Sequence, residues 1–298
     1  MTSKLFIAVV TAFGLVGARY AENPFLGRWD ITVHAFRGDY PSWLEVTETD
    51  GKLGGRFCGR TGSASPLREP KIEGDKLIFG QNGNYEARRV GDRLEGITRD
   101  RQGSETKWSA VPVPELKRTK LPKWDKPVEL FNGTDLSGWH AKSGGQHGWV
   151  VEDGVLVNKK PGEDLVSDRK FMDFKVHAEF RLPKGSNSGL YLRGRYEAQI
   201  DDDYGKPANS HGMGGIYGLV TPKSNPSKPA GEWQTYDIVL VGRMVTISLN
   251  GEKVVDNEEI AGVTGGALDS NEGSPGPIMI QGDHGTVEFR KVTVTPAK

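Results

Sequence analysis

Short runs of alternating apolar and polar residues, each cut off by a Gly- or Asx-containing pair, constrain this chain more than any other feature. In "RWDITVHAF", Trp29, Ile31 and Val33 share one side. In "FMDFKVHAEFRL", Phe174, Val176, Ala178 and Phe180 alternate with Lys175, His177, Glu179 and Arg181. A period of two is the signature of a strand with one buried face. "SWLEVTE" and "KLGGRFCGR" flank "TDG", and "SLNGEK" carries Asn250-Gly251, both hairpin signals. No window sustains three turns of helical periodicity, so the expected fold is all-β. The 40 glycines show no three-residue period, which excludes collagen and leaves turns as their use. No longer repeat of fixed period suggests a propeller.

The strand pattern breaks once. "VPVPELKRTKLPKWDKPVEL", residues 111–130, holds four prolines and five basic residues and is a poor core segment. Four parts are expected: a leader over 1–21, a small β-barrel or meander over 22–112, a Pro/Lys-rich linker over 113–127, and a second domain over 128–298. The second domain has enough strands for two packed sheets, a jelly-roll-like sandwich.

The N-terminus "MTSKLFIAVVTAFGLVGARYA" has Lys4 before an apolar run too short to span a membrane, then small residues ending at Ala18 or Ala21. It reads as a secretory signal, with a buried N-terminal helix as the alternative. Cys58 is the single cysteine, so no intramolecular disulfide forms, and no cysteine follows the leader to carry a lipid. An exported protein of the periplasm or the extracellular medium is expected, with no transmembrane segment. The 39 basic and 39 acidic residues balance, against a general nucleic-acid binder. Nothing specifies an oligomeric state.

The stretch "NSGLYLRGRYEAQIDDDY" is unusual. Read as one strand, its even positions (Leu192, Gly194, Tyr196, Ala198, Ile200) enter the core. Its odd positions line up Arg193, Arg195, Glu197, Gln199 and Asp201. Gly194 can bend the strand and shift the parity at Arg193, so Glu197, Gln199 and Asp201 form the securest row. A solvated, salt-bridged face explains such a row. A floor that binds polyols explains it too, since Glu and Gln bind neighbouring hydroxyls and Arg offers a fork of donors. Tyr191, Tyr204, Tyr217 and Trp233 lie around it and suit sugar rings or simple packing.

Residues 201–234 form a long polar segment rich in Gly and Pro, the composition of a functional lip. It contains His211. "IMIQGDHGTVEF" brings Gln281, Asp283 and His284 close in sequence. Asp201, Asp202 and Asp203 offer oxygens to a divalent cation such as calcium, but without the ligand spacing of an EF-hand. A metal site from His211, His284 and a carboxylate would be scattered. No metal ligand is therefore assigned and no cofactor is required. The phosphate-binding loop GxxxxGK[ST] is absent, "HGMGGIYG" lacks a strand-to-helix setting, and no G-x-S-x-G elbow occurs.

"ELFNGTDLSGWHA", "GWVVEDGVL", "DFKVHAEFRL", "NSGLYLRG", "YEAQIDD", "GGIYG", "KPAGEWQTYDIVLVG", "LNG" and "GPIMIQGDHGTVEFRKVTV" follow one another in order. Over about residues 128–296 this series resembles the 3-keto-disaccharide hydrolase family. The first domain is distantly similar to lipocalins. The main resemblance implies a concanavalin- or laminarinase-like sandwich and chemistry on oxidised di- or oligosaccharides or glycosides. The Phe131-to-Trp139 opening is read as architectural.

A ketone at C3 acidifies the C2 hydrogen. A base can remove it, the C1 substituent can leave, and water can add, for net hydrolysis. In that scheme Glu197 moves the proton, Arg193 stabilises negative oxygen and His284 protonates the leaving group. Gln199, Asp201, His211, Tyr217, Trp233 and Gln281 bind substrate. Two alternatives stay open. A conventional glycosidase needs paired carboxylates, and Glu197 and Asp201 are roughly 13 Å apart along one strand, too far without a partner from elsewhere. A non-catalytic carbohydrate-binding or cell-envelope module needs no base at all.

Overall fold

The computed structural model describes residues 23–298, and the expected leader lies outside them. All the described sheets are antiparallel, and among these residues the one helical element is the short 3-10 turn Gln81–Gly83.

The first domain is a curled nine-stranded half-barrel. Its strand order is Ser65–Pro66, Lys52–Cys58, Tyr40–Thr49, Gly27–His34, Glu105–Pro112, Arg93–Arg99, Tyr85–Val90, Lys76–Phe79 and Lys71–Glu73. The alternation in "RWDITVH" does its expected work, burying Trp29, Ile31 and Val33 beside Leu44, Phe79 and Trp108. Curling brings Phe57 to 4.8 Å from Tyr85 and 5.6 Å from Phe79, ring to ring. The sheet does not close into a barrel, because its two edge strands do not pair. One edge is the two-residue Ser65–Pro66, and Pro66 has no N–H to extend a ladder. The expected likeness to lipocalins finds no support, since the open sheet is not their closed barrel.

The second domain packs an eight-stranded sheet against a five-stranded one. The larger runs Trp149–Glu152, Val155–Asn158, Glu288–Pro296, Phe174–Arg181, Gln234–Val241, Met244–Leu249 and Glu252–Glu259, with Val128–Glu129 also paired to Glu288–Pro296. The smaller runs Trp139–Ala141, Leu165–Phe171, Gly276–Ile280, Asn187–Leu192 and Tyr196–Asp201. Phe180, Tyr236 and Phe289 of the larger sheet share one core with Leu190, Leu192, Tyr196, Ala198, Ile200 and Ile278 of the smaller. Because successive side chains oppose, the same strands present Tyr191, Glu197 and Gln199 on the other face. That outer face meets the first domain.

Two buried contacts stand out among those that join the domains. Trp43 is fully buried with Cys58 against Val263 and Ala267. A Cβ on Gly262 would lie 2.3 Å from the Trp43 indole nitrogen, so the ring needs a residue without one. Gly262→Val is expected to destabilise the chain by about 1–3 kcal/mol through overpacking, read as a lower denaturation midpoint at unchanged m-value.

The second contact is ionic. Asp30 of the first domain, 2% exposed, is buried beside the fully buried Glu272 of the second. Glu272 is 2.8 Å from the Arg243 guanidinium and accepts from the Tyr196 hydroxyl at 2.5 Å. Burial first, and then the Glu272 carboxylate, push the Asp30 carboxyl far above the usual range.

Candidate active site

The polar stretch from Asn187 to Asp201 is a hairpin and not one strand. Asn187–Leu192 pairs with Tyr196–Asp201 in register, Gly189 opposite Gln199 and Tyr191 opposite Glu197. Arg193 and Gly194 have φ of 54° and 65°, and the Arg195 N–H donates to the Leu192 carbonyl at 3.1 Å. Two successive left-handed residues make an I′-type reversal.

This removes Arg193 from the proposed row. Its side chain is fully buried away from the cleft, donating to the Gly242 carbonyl at 2.8 Å and the Tyr196 hydroxyl at 3.0 Å. Arg195 is likewise committed, to Asp269 and the Ser274 carbonyl. Both arginines brace the hairpin against the 264–275 loop. Trp233 is also misplaced by the sequence reading. It is sandwiched by Arg181 and Arg290, whose guanidinium carbons are 4.7 and 4.5 Å from its ring centre, and it does not line the cleft.

The other expected residues converge. Glu197, Gln199, Asp201, His211, Tyr217, Gln281 and His284 all line one open cleft of about 750 Å³, within the size range of ligand sites. The floor comes from the smaller sheet. The Gln281 N–H donates to the Gly189 carbonyl at 2.9 Å, which sets the late segment beside the hairpin.

Glu197 stands at the base, 4% exposed. It fits because its cross-strand neighbourhood is empty: a Cβ on Gly189 would lie 2.3 Å from its carboxylate. With its amide nitrogen turned toward the acceptors, Gln199 donates to Glu197 at 3.3 Å and to the Ser188 carbonyl at 3.1 Å, and accepts from Asn187 at 2.9 Å. The Gln281 side-chain oxygen is buried in the cleft with no hydrogen-bond partner. Such a bare acceptor is costly unless a ligand donor meets it.

Burial pushes the Glu197 carboxyl up to about 8; the hydrogen bond from Tyr191 and the charge of Lys142 act against this, while the charges of Asp164 and Asp283 add to it. The Tyr191 hydroxyl is raised well above its ordinary value by burial and by Glu197, so it stays a donor, and it reaches the Gly265 carbonyl at 2.9 Å.

Lys142, Asp164 and Tyr191 are functional candidates that the sequence reading did not assign. Lys142 pairs with Asp164 at 3.0 Å and donates to the Gly266 carbonyl at 2.8 Å. Asp164 also accepts from the Gly282 N–H at 3.0 Å. Tyr191 had one visible signal, its odd-numbered place in the same strand as the predicted row. Lys142 and Asp164 sit in irregular segments and had none.

At the lip, His284 pairs with Asp283 at 2.5 Å, and His211 meets Tyr217 edge-on at 4.8 Å. The three consecutive aspartates diverge. Asp202 accepts from the Gly185 N–H, and Asp203 from the Met213 N–H and the Asn225 amide. Among the described residues no three His, Cys, Asp or Glu gather as a metal site. Also among them, no helix is long and apolar enough to cross a membrane.

Comparison with known proteins assigns this geometry a context. Residues 126–295 match the model of a family described as a 3-keto-alpha-glucoside-1,2-lyase-like domain. A 3-keto-disaccharide hydrolase of Bacteroides thetaiotaomicron is 22% identical over 185 residues, 49% of this chain and 64% of that protein's length. The match thus spans less than two thirds of that relative. A crystal structure of a protein provisionally named a glycosyl hydrolase, from Parabacteroides distasonis, superposes with a TM-score of 0.51 at 30% identity, covering 57% of this chain and 83% of the other. The second domain therefore has a carbohydrate-active enzyme fold related to glycosyl hydrolases.

Proposed function

This chain belongs to the family of 3-keto-alpha-glucoside-1,2-lyase-like domains through its residues 126–295, and from that premise we propose that its cleft cleaves 3-keto-glycosides by elimination at C1–C2 followed by hydration. The observation that carries the reading is Glu197. It is a buried carboxyl with its pKa raised to about 8, at the base of a sugar-sized cleft and beside a tyrosine hydroxyl. A carboxylate with so high a pKa is a stronger base than an exposed one, which suits removal of a carbon-bound hydrogen next to a ketone.

The ionised Glu197 takes the C2 proton, and the electron pair moves into the C2=C3 enolate. The Lys142 ammonium replaces Arg193 as the group that stabilises the negative oxygen, with the Tyr191 hydroxyl turning from the Gly265 carbonyl to join it, in a partly enclosed site where such donors act strongly. The C1–O bond breaks, and His284 gives a proton to the departing oxygen. Water then adds its hydroxyl at C1 and a proton at C2. Gln199 and the bare Gln281 oxygen orient hydroxyls, with Asp201, His211 and Tyr217 at the rim. The two packed sheets are read as the concanavalin-like sandwich that the family resemblance implies, and export to the periplasm or medium belongs to the same proposal.

The test is turnover of an aryl 3-keto-α-glucoside in D₂O, followed by NMR. Release of the aryl alcohol with deuterium at C2, faster than exchange into 3-keto-glucose alone, is the expected result. The unoxidised glucoside should stay intact. Cleavage without C2 deuterium would mean direct hydrolysis, and binding without turnover would mean a carbohydrate-binding module.

A further inference from the structure

The family match begins at residue 126, yet one wall of the cleft comes from the first domain, through Arg37, Tyr40, Arg60 and the backbone around them. That wall is tied to the floor. The Gly266 N–H donates to the Arg60 carbonyl at 3.1 Å, in the same loop whose Gly265 and Gly266 carbonyls hold Tyr191 and Lys142.

Charge is unevenly satisfied across the cleft. Asp164, Asp283 and Asp39 each already hold a base, namely Lys142, His284 and His34. On the wall, the exposed Arg60 guanidinium lies 5.2 Å from the Tyr40 ring centre. Among the described residues neither Arg60 nor Arg37 forms an ion pair with a carboxylate. With the reacting ring placed deep at Glu197, a substituent running outward can meet this wall, which lines the same cleft.

We propose that the first domain builds the leaving-group subsite of the cleft, in which Arg60 and Arg37 select an aglycone bearing a carboxylate and Tyr40 offers it a flat apolar surface. A guanidinium fork matches a carboxylate better than a neutral ring, and a pairing not yet made is where such recognition gains most. This rests on the 3-keto-glycoside reading of the floor.

The experiment uses the full chain and two probes, the 4-carboxyphenyl and 4-methylphenyl α-glucosides, each as the 3-keto compound and as the unoxidised parent. With the 3-keto pair, kcat/KM should favour the carboxylated substrate by about 10-fold, and Arg60→Gln with Arg37→Gln should remove that preference. The unoxidised pair is titrated calorimetrically, so selection is read even if no probe is turned over. The carboxylated parent should bind about 10-fold tighter to the wild type, with the advantage shrinking in high salt. The salt arm needs no variant and stands if the substitutions fail to fold. Equal affinity for both parents, or equal losses for both probes in the variants, would overturn the subsite. Failure of turnover with carboxylate selection intact would overturn only the catalytic reading.

Discussion

Glu197→Gln is expected to lower kcat/KM on a 3-keto-glucoside by about 10²- to 10⁴-fold, the range contributed by a positioned general base. The replacement keeps shape and hydrogen bonding but cannot accept the C2 proton. In the wild type, the base acts only after losing its own proton. Since burial holds its pKa at about 8, the limb of kcat/KM set by this base should climb as the pH approaches 8. The variant's residual rate should lack that limb. Stability must move the other way if the cause is chemical. A carboxyl whose folded pKa is raised from 4.5 to about 8 keeps a proton that the unfolded chain gives up between those values, so the wild type loses stability as pH rises across that window. The glutamine variant escapes this loss and should melt no lower than the wild type at pH 8–9. A variant that is inactive and also less stable there would point to disruption of the cleft floor. A fully active variant would remove Glu197 from the mechanism and leave proton transfer to another group.

The pattern of the floor was visible in the sequence wherever strand periodicity governed it. Tyr196, Ala198 and Ile200 enter the core and Glu197 and Gln199 face outward because alternation leaves no other choice once one face is buried. The same rule misled at Arg193. It was applied across a chain reversal, and Arg-Gly lacks the Asn-Gly or Asp-Gly signature by which such turns are recognised. Charge misled there as well. Arginine is expected at a surface, but here the guanidinium is fully buried because backbone carbonyls from distant segments and the nearby Tyr196 hydroxyl meet it. Lys142 and Asp164 could not be found by pattern, since irregular segments carry no periodicity. The wall from Arg37 to Arg60 depends on how one domain docks on another, and that is fixed by the Trp43–Gly262 contact and the Asp30–Glu272 pair, residues more than two hundred positions apart.

That same docking predicts the largest stability effect in the molecule. Arg243→Met is expected to destabilise the chain by about 3–5 kcal/mol, the range for removing one partner of a buried ion pair. Glu272 would then stay fully buried without its ion-pair partner. Asp30→Asn should act in the opposite direction. With its pKa raised by burial and by Glu272, Asp30 keeps its proton in the folded protein at neutral pH while the unfolded chain has lost it. Folding therefore becomes steadily less favourable as pH rises above the usual aspartate value of 3.8, until the folded pKa is reached. An asparagine donates to Glu272 without that linkage. Its melting temperature relative to the wild type should grow between pH 5 and pH 8, while Arg243→Met lies below both throughout. A pH-independent difference for Asp30→Asn would mean that Asp30 is ionised when folded and that Arg243 and Arg195 outweigh its burial. The docking would then be an ordinary salt-bridge network, and the Arg243 deletion should become more harmful as the pH rises.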